Sequence, residues 1–271
     1  MILPRRFIPG ESPLPNLDDY EYEKKGVNIN YTWYGLDIHP EGDYIYMVQA
    51  EGSQRAIDRG LATQWDVGTY NASGEHSAFN VYNRYGCRIR PDDGTSFWSV
   101  QSNTGVVTIY KQNLVTPYRL TSLSGSNQTK SITALVPAIT SAAGLYIKPD
   151  GTRLWISSGG GIVEFSMGIP WDQSVLTYVK TVASIGGADI WFIEDGTRLY
   201  TLSNTTIRQY NLGTAWDIDT LPGTADYFMG LTTNTTNTQA LAFKPDLSKF
   251  YVSDRGGSNN YKVVQYKQKG T

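Results

Sequence analysis

Four side chains that are basic, or can become basic, each directly precede a turn. They are His39, Arg90, Lys148 and Lys244, and Ile193 stands at the matching place in a fifth turn. If these places meet around an axis, the side chains would ring one mouth of a channel and attract an anion or an acidic sugar. The alternative is a set of solvated residues beside turns, where Lys and Arg are common.

Tryptophan followed by aspartate occurs three times. Trp171 and Trp216 follow a predicted third strand of their repeats, whereas Trp65 is assigned to the third strand itself. Aromatic faces suit the apolar faces of sugar rings, so Trp171 and Trp216 are candidates for stacking against a glycan. Packing between repeats is the alternative interpretation of the same residues.

Residues with catalytic or metal-ligand spacing are absent from the sequence. His39 and His76 are isolated, and each turn supplies one or two carboxylates, too few for a calcium site unless loops converge. There is no Gly-x-Ser-x-Gly, His-Glu-x-x-His or phosphate-binding loop, and the glycine run at 157–161 predicts a hairpin turn. We therefore expect no catalytic residue, no metal and no cofactor.

Composition limits the class of partner. The net charge is −2, whereas a dedicated duplex-DNA binder usually carries a basic excess, so nucleic acid is not an expected partner. Cys87 is the one cysteine, which rules out an intrachain disulfide framework. Aromatic residues make up 13% of the chain and charged residues 18%, a composition that favours strands and tight turns.

A turn phrase of the Pro-Asp-Gly kind recurs and organises these residues. Its five copies are 39–43, 90–94, 148–152, 193–197 and 244–248. Proline presets the first corner, aspartate bonds the neighbouring backbone and glycine accepts a positive φ. Alternating apolar residues flank every copy, so each copy predicts a hairpin of two strands, A and B.

A second phrase follows each hairpin and predicts a third strand, C, with one aromatic residue at a fixed place. The aromatic residues are Trp65, Tyr110, Phe165, Tyr210 and Tyr266. A fourth strand, D, is clearest at 176–182. Each repeat is thus a four-stranded antiparallel unit.

The two ends of the chain complete one another in this scheme. The fifth repeat has no strand D of its own, and segment 20–27 precedes the first strand A without another role. Pairing this segment with 262–267 would remove the open edges and close a ring. We predict an all-β fold, a single five-bladed β-propeller over residues 17–271 whose last blade is completed by the N-terminal strand. An open stack of repeats and a two-domain sandwich are the alternatives.

Residues 1–16 lie outside the repeats and contain four prolines with the adjacent Arg5 and Arg6. An extended, proline-rich arm of this kind is either a loose tail or strap, or a tether that docks onto another protein. No apolar run follows that would predict a signal peptide or membrane insertion. We therefore expect synthesis in a host cytoplasm.

Two repeats carry a recognisable motif. The segments 148–155, 163–165 and 169–172, and again 194–200 and 209–218, resemble repeats of the form FKPDGTKMYV…VYEYxLSTAWDI. Such repeats are found in β-propeller proteins of tailed bacteriophages and environmental bacteria. The resemblance covers most of 34–271 and is weaker in repeats one, two and five. Repeat two has 116–118, Thr-Pro-Tyr, in place of the Trp-Asp that follows strand C.

The resemblance implies the propeller fold and, more loosely, a role. We expect a non-enzymatic structural or host-attachment protein of a virus particle, in or beside a phage tail. Its propeller would be a platform for protein or glycan, with other virion proteins bound through the N-terminal arm and a host cell-surface glycan as a further partner. A lectin-like propeller outside a virion is the first alternative, and a propeller glycoside hydrolase or lyase is the second.

Overall fold

The computed structural model describes residues 14–26, 33–49, 55–70, 76–78, 84–136, 139–183, 185–256 and 260–270. Strands dominate this part of the chain, and the helices in it are single 3-10 turns. None of the described helices is long and apolar enough to cross a membrane. The strands form five antiparallel sheets of four strands each.

Each sheet is one blade, and strands A to D follow one another in sequence. Blade one contains β2 (Trp33–Ile38), β3 (Tyr44–Gln49), β4 (Arg55–Gly60) and β5 (His76–Ala78). Blade two contains β6 (Arg84–Ile89), β7 (Ser96–Asn103), β8 (Val106–Leu114) and β9 (Leu123–Ser131). Blade three contains β10 (Gly144–Ile147), β11 (Arg153–Ser158), β12 (Gly161–Met167) and β13 (Leu176–Ala183).

The last two blades follow the same pattern. Blade four contains β14 (Asp189–Phe192), β15 (Arg198–Ser203), β16 (Thr206–Asn211) and β17 (Tyr227–Gly230). Blade five contains β18 (Thr238–Phe243), β19 (Lys249–Gly256), β20 (Asn260–Gln268) and β1 (Tyr20–Lys25). A 3-10 turn leads into strand D of each blade, at Leu17–Asp19, Val67–Thr69, Leu120–Ser122, Gln173–Val175 and Ile218–Thr220.

The five A strands surround a central axis. β2 contacts β6, β6 contacts β10, β10 contacts β14, β14 contacts β18, and β18 contacts β2. Five apolar clusters lie in the described residues, one at each seam between neighbouring blades. The predicted five-bladed propeller is confirmed, because five four-stranded sheets contact one another in a closed circle.

The ring closes through the two ends of the chain, as predicted. β1 pairs antiparallel with β20, with Tyr20 opposite Gln268 and Lys25 opposite Val264. The pairing continues past the strand, where the N–H of Gly26 donates to the Val263 carbonyl at 2.7 Å.

The described chain before β1 also belongs to blade five. Arg198 of blade four donates to the carbonyl of Pro15 at 2.7 Å and to that of Leu14 at 3.2 Å. Residues 14–16 therefore occupy the link that precedes strand D in the other blades. Residues 1–13, with Arg5 and Arg6, lie outside the described residues, and the predicted docking arm stays a prediction.

One carbonyl of the link, that of the residue two places before the 3-10 turn, joins each blade to the one before it. In all five blades it accepts a hydrogen bond of 2.7 to 3.4 Å from a side chain of the preceding blade. The donor and acceptor pairs are Tyr46 to Tyr118, Lys111 to Trp171, Arg153 to Trp216, Arg198 to Pro15, and Tyr251 to Trp65.

The prediction for strand C of blade one was wrong. That strand is β4, and Trp65 lies in the link, as Trp171 and Trp216 do. The prediction of one aromatic residue at a fixed place in strand C is also wrong for blades one and two. The strand register puts Arg59 and Gln112 at that place. Both side chains are almost fully buried, at 6% and 3% exposed, so burial at this place does not require an aromatic residue.

The residue before that place in strand C makes a second bond across three of the seams. Asp58 accepts a hydrogen bond from the N–H of Leu120 at 2.8 Å, and Gln265 accepts one from the N–H of Val67 at 3.0 Å. Gln209 and Leu17 repeat the pattern at the seam between blades four and five, at 3.2 Å. These contacts satisfy backbone donors of the next blade's 3-10 turn.

The seam between blades two and three departs from this pattern. Lys111 replaces the acceptor and donates instead to the Trp171 carbonyl at 2.8 Å. Gln173 occupies the buried place that is apolar in the other four turns, and it is 2% exposed. Neither atom of its amide has a hydrogen-bond partner among the described residues.

We predict that Gln173→Leu stabilises the protein. Removing an unsatisfied buried amide should raise the free energy of unfolding by about 1 to 2 kcal/mol. Urea denaturation of the variant measures the gain, and Gln128→Leu on the exposed face of β9 serves as the matched control. Equal stability of Gln173→Leu and the wild type would contradict the prediction.

Candidate functional site: the axial mouth

A cavity of about 100 Å³ opens on the axis at the end where the A–B turns lie. Four of its five rim positions are prolines, and the fifth, in blade four, is Glu194. The prolines are Pro40, Pro91, Pro149 and Pro245. The A strands thus line the axis, which is the condition on which the predicted ring of basic residues depends.

The cavity wall is formed by the last residues of the A strands. Apolar side chains from all five blades line it, among them Ile38, Ile89, Ile147, Phe192 and Phe243. Each of these is at most 7% exposed. Burying them between blades fixes the A–B turns just above, so the rim is rigidly placed.

The next-to-last residue of each A strand lies at the same level of its blade. These five residues are Asp37, Arg88, Tyr146, Trp191 and Ala242. The first four line the cavity, and Asp37 and Arg88 are oppositely charged. Arg88 is 5% exposed. Its guanidinium donates to the carbonyls of Leu36, Cys87 and Ile190 at 2.9, 2.6 and 2.9 Å.

Two carboxylates accompany this guanidinium. Asp189 lies 3.7 Å from it, and it accepts the backbone N–H of Leu241 in the next blade at 2.9 Å. Asp37 likewise accepts the N–H of Ile89 in the next blade at 2.7 Å. The axial charges therefore connect blades one, two, four and five.

Burial raises the pKa of Asp37 and of Asp189 to about 6, and the nearby Arg88 acts in the opposite direction. Two buried carboxylates share one guanidinium, so full ionisation leaves a net negative charge on the axis. Placing that charge in a low-dielectric interior is costly, which is why protonation becomes easier there.

The predicted basic residues lie around the mouth, but three are paired within their own turns. Arg90 contacts Asp92 at 2.7 Å, Lys148 contacts Asp150 at 2.6 Å and Lys244 contacts Asp246 at 2.8 Å. Burial acts to raise the pKa of each aspartate. The pKa nevertheless lies below the usual value, because the basic residue of the same turn donates a hydrogen bond to the carboxylate.

The same basic residues lie on the link aromatic of the next blade. The cation-to-ring distances are 5.3 Å for Arg90 over Trp171, 5.6 Å for Lys148 over Trp216 and 5.4 Å for Lys244 over Trp65. His39 contacts the ring of Tyr118 at 4.4 Å, and burial lowers its pKa. Anion binding by this set stays a prediction, and its charge is compensated locally.

The link aromatics are packed against glycines of their own turns. Trp65, Tyr118, Trp171 and Trp216 each have a φ between 60° and 65°. The N–H of each donates to the carbonyl of the turn glycine, as Trp171 does to Gly151 at 3.0 Å. A Cβ on Gly151 would lie 2.4 Å from the Trp171 ring.

Little aromatic face remains for a sugar at the predicted stacking residues. Trp171 is 5% exposed and lies against Trp98 at 6.2 Å. Trp216 stacks on Trp155 at 5.8 Å and on Tyr146 at 6.3 Å. Glycan stacking stays a prediction for both residues, and their packing favours the alternative of contact between blades.

Sequence reasoning missed Asp37, Arg88 and Asp189. In an alternating strand, Asp37 and Arg88 resemble residues that face solvent, but strand A of a propeller is buried on both faces. Opposite charges at the same place of two consecutive A strands were the available signal. Among the described residues, no group of three or more His, Cys, Asp or Glu side chains is placed to hold a metal.

We predict that Gly151→Ala destabilises the protein by about 3 kcal/mol, because the methyl group strains a φ of 72° and overlaps Trp171. Gly105→Ala is the matched control, since Gly105 has a φ of 82° and no described atom lies within 4 Å of where its methyl group would stand. It should cost about 1 kcal/mol. Chemical denaturation measures the unfolding free energy of both variants. Equal losses of unfolding free energy would show that the overlap with Trp171 contributes nothing.

The axial carboxylates predict a pH effect on stability. Because the folded pKa of Asp189 is about 6 and the unfolded value about 3.9, stability gained by protonation is full below the lower value and lost as the pH rises through the higher one. The unfolding free energy of wild type minus that of Asp189→Asn should be about 1 kcal/mol larger at pH 5 than at pH 8.

Denaturation at both pH values measures this difference, in which the opposite contribution of His39 cancels. Asp195→Asn, at an exposed turn, controls for the loss of a carboxylate as such. A difference for Asp189→Asn that stays constant between pH 5 and pH 8 would be the contrary result.

Comparison with known proteins identifies a fold and no family. No family model and no curated protein matches the chain. A functionally unknown protein from Desulfotomaculum acetoxidans is 15% identical with a TM-score of 0.50, and the match covers 82% of this chain and 65%, less than two thirds, of that one.

A chain of a nidogen/laminin complex is 11% identical with a TM-score of 0.51, over 83% of this chain and 73% of that one. The β-propeller domain of Swd1 from Myceliophteria thermophila is 11% identical with a TM-score of 0.49, over 88% and 83%. In all, 834 solved chains match. So broad a set, at identities this low, shows the propeller fold alone.

Proposed function

We propose that this chain is a non-enzymatic structural or host-attachment protein of a virus particle, in or beside a phage tail. The observation that carries the proposal is the resemblance of repeats three and four to propeller repeats of tailed bacteriophages. In both repeats the motif residues hold the blade together: the turn glycine, here Gly151 and Gly196, packs on the link tryptophan.

The use of the buried carboxylates supports a role without catalysis. A hydrolase or lyase needs carboxylates that face substrate. Here Asp189 accepts a backbone N–H group on the axis, and Asp58 accepts one at a seam. Glu164 is fully buried against Arg153 at 2.8 Å. Their bonds go to the scaffold, which suits a rigid binding platform.

The place where the N-terminal arm joins the propeller supports attachment through that arm. Leu14 and Pro15 are held by Arg198 at the seam between blades four and five. A tether fixed at this point would transmit load to two blades. Arg5 and Arg6 supply charge on the tether for an acidic surface of another virion protein.

We predict that deleting residues 1–13 prevents incorporation into particles and leaves the propeller folded. The cut spares Leu14–Asn16, so the seam is retained. Particles assembled with the full-length chain or the truncated chain are purified and compared by mass spectrometry and by immunolabelling in the electron microscope. Unchanged thermal unfolding of the truncated chain is the control for folding.

Full-length protein that is absent from purified particles would overturn the proposal. Specific binding on a glycan array without particle association would favour the lectin-like alternative. Turnover of a polysaccharide by the purified chain would favour the hydrolase or lyase alternative.

A further inference from the structure

The outer surface of blade three carries half of the exposed large apolar side chains in the described part of the chain. Eight such side chains are exposed there, and four of them belong to the link and the outer strand of this blade. They are Ile169, Val175, Tyr178 and Val179, each between 38% and 56% exposed. We call these four residues the blade-three patch. Exposed apolar groups that lie together mark surfaces of association.

The fold does not require apolar residues at two of these places. In blades one, two and four a hydroxyl at the place of Val175 accepts the N–H at the place of Ile169. These hydrogen bonds run from Thr63 to Thr69, from Thr116 to Ser122 and from Thr214 to Thr220, at 2.9, 2.8 and 3.1 Å.

Blade three lacks this hydroxyl and keeps the backbone bond beside it. The N–H of Gly168 donates to the Val175 carbonyl at 3.4 Å, as the N–H of Gly213 does to the Thr220 carbonyl at 3.4 Å in blade four. Ile169 and Val175 therefore change the surface of the blade while the hydrogen bonding of the backbone stays the same.

The third apolar replacement is at the bulge of the outer strand. In blade five the bulged residue of β1 is Glu23, which contacts Lys249 at 3.3 Å. The same place in β13 is Val179. Charged side chains on an edge strand discourage association with another chain. Blade three has an apolar side chain where blade five has this protection.

The two sides of the patch carry opposite charge. On the side of blade two, Lys130 donates to the Ser174 carbonyl at 3.2 Å, so a backbone group meets its charge. On the side of blade four, Lys180 is shared by Asp217 at 2.5 Å and Asp219 at 2.8 Å, which leaves one negative charge uncompensated. A surface that is basic on one side and acidic on the other is complementary to itself.

We propose that the blade-three patch is the contact surface of a symmetric dimer, with a second copy of this chain as its occupant. A two-fold axis parallel to the propeller axis brings Lys130 of each copy towards Asp219 of the other. An axis at right angles to the propeller axis would oppose like charges. This inference concerns contact between copies and does not depend on the proposed place in a virus particle.

The balance of charge favours a second copy over an anionic surface. Lipid head groups and acidic polymers are bound by basic patches, whereas the charges on the two sides of this patch cancel. A symmetric contact uses every residue twice, so four apolar side chains supply eight to the interface. The contact is still small, and we expect a reversible dimer with a dissociation constant on the order of 10 to 100 µM.

The test is sedimentation equilibrium of the full-length protein at concentrations that span the expected dissociation constant. The wild type should pass reversibly from monomer to dimer. Val179→Asp places two like charges in the contact and should raise the dissociation constant about 10-fold or more. Val106→Asp is the matched control, because Val106 is 46% exposed and Val179 is 45% exposed. Val106 lies outside the patch, so this control should dimerise as the wild type does.

A second variant separates contact from folding. Ile169→Thr combined with Val175→Thr restores the residue types that form the hydroxyl bond in blades one and four. This double variant should unfold at the wild-type temperature or above it. It should nevertheless dimerise about 10-fold more weakly, because apolar area is lost from both copies. Thermal unfolding and sedimentation of the same sample measure the two effects.

Exchanging the charges tests the direction of the two-fold axis. Lys130→Glu and Asp219→Lys should each raise the dissociation constant about 5-fold or more. The chain that carries both substitutions should regain most of the wild-type affinity, because its two sides are reversed and remain complementary. A double variant that is as weak as the single ones would contradict the proposed orientation and overturn the proposal.

A full-length chain that stays monomeric at every concentration would overturn the proposal. Loss of incorporation into particles by Val179→Asp would then assign the patch to a different protein. A dimer that is unaffected by Val179→Asp and by the two threonine substitutions forms through another surface, and this result would overturn the proposal as well.

Discussion

The hydrogen bond from one blade to the link carbonyl of the next is the contact on which the ring depends. It recurs at all five seams although its donor changes from tyrosine to lysine to arginine. The acceptor is a backbone group, so it is present whatever residue occupies the link, including Pro15 in blade five. A closed ring has no free end, so every seam must be satisfied at once.

The axis follows a different rule, because five strands meet there and no two contribute the same side chain. Arg88 has three backbone carbonyls as partners, and the two carboxylates each accept N–H groups of neighbouring strands. Breaking such a network by removing one partner leaves a buried charge without compensation. We expect the network to favour one arrangement of blades over others of similar apolar burial, and so to act on specificity more than on stability.

The sequence predicted the features that the repeat encodes locally. Turn phrases, the apolar pairs of strand A and the role of segment 20–27 all follow from period and alternation. It failed at strand C of blade one, because Trp65 was matched by residue type to aromatics of other repeats while its function matched the link. The sequence also did not show what the basic residues contact. Arg90 and Lys148 each contact an aspartate two residues ahead and an aromatic ring of the next blade. The contact with the ring exists only once the blades have closed into a ring.

These two rules together explain where a specific function can reside in a fold of five similar blades. Contacts that must be equal, such as the link carbonyl and the turn glycine, recur around the ring and distinguish no blade. Differences lie where the repeats converge, with Asp37, Arg88, Tyr146 and Trp191 at the axis and Glu194 on the rim, and on the outer surface of blade three. A partner that recognised only the shared features would find several similar sites on the ring. The apolar pair of Ile169 and Val175 occurs on one blade, so a contact made there has a single place on each chain, as a closed dimer requires.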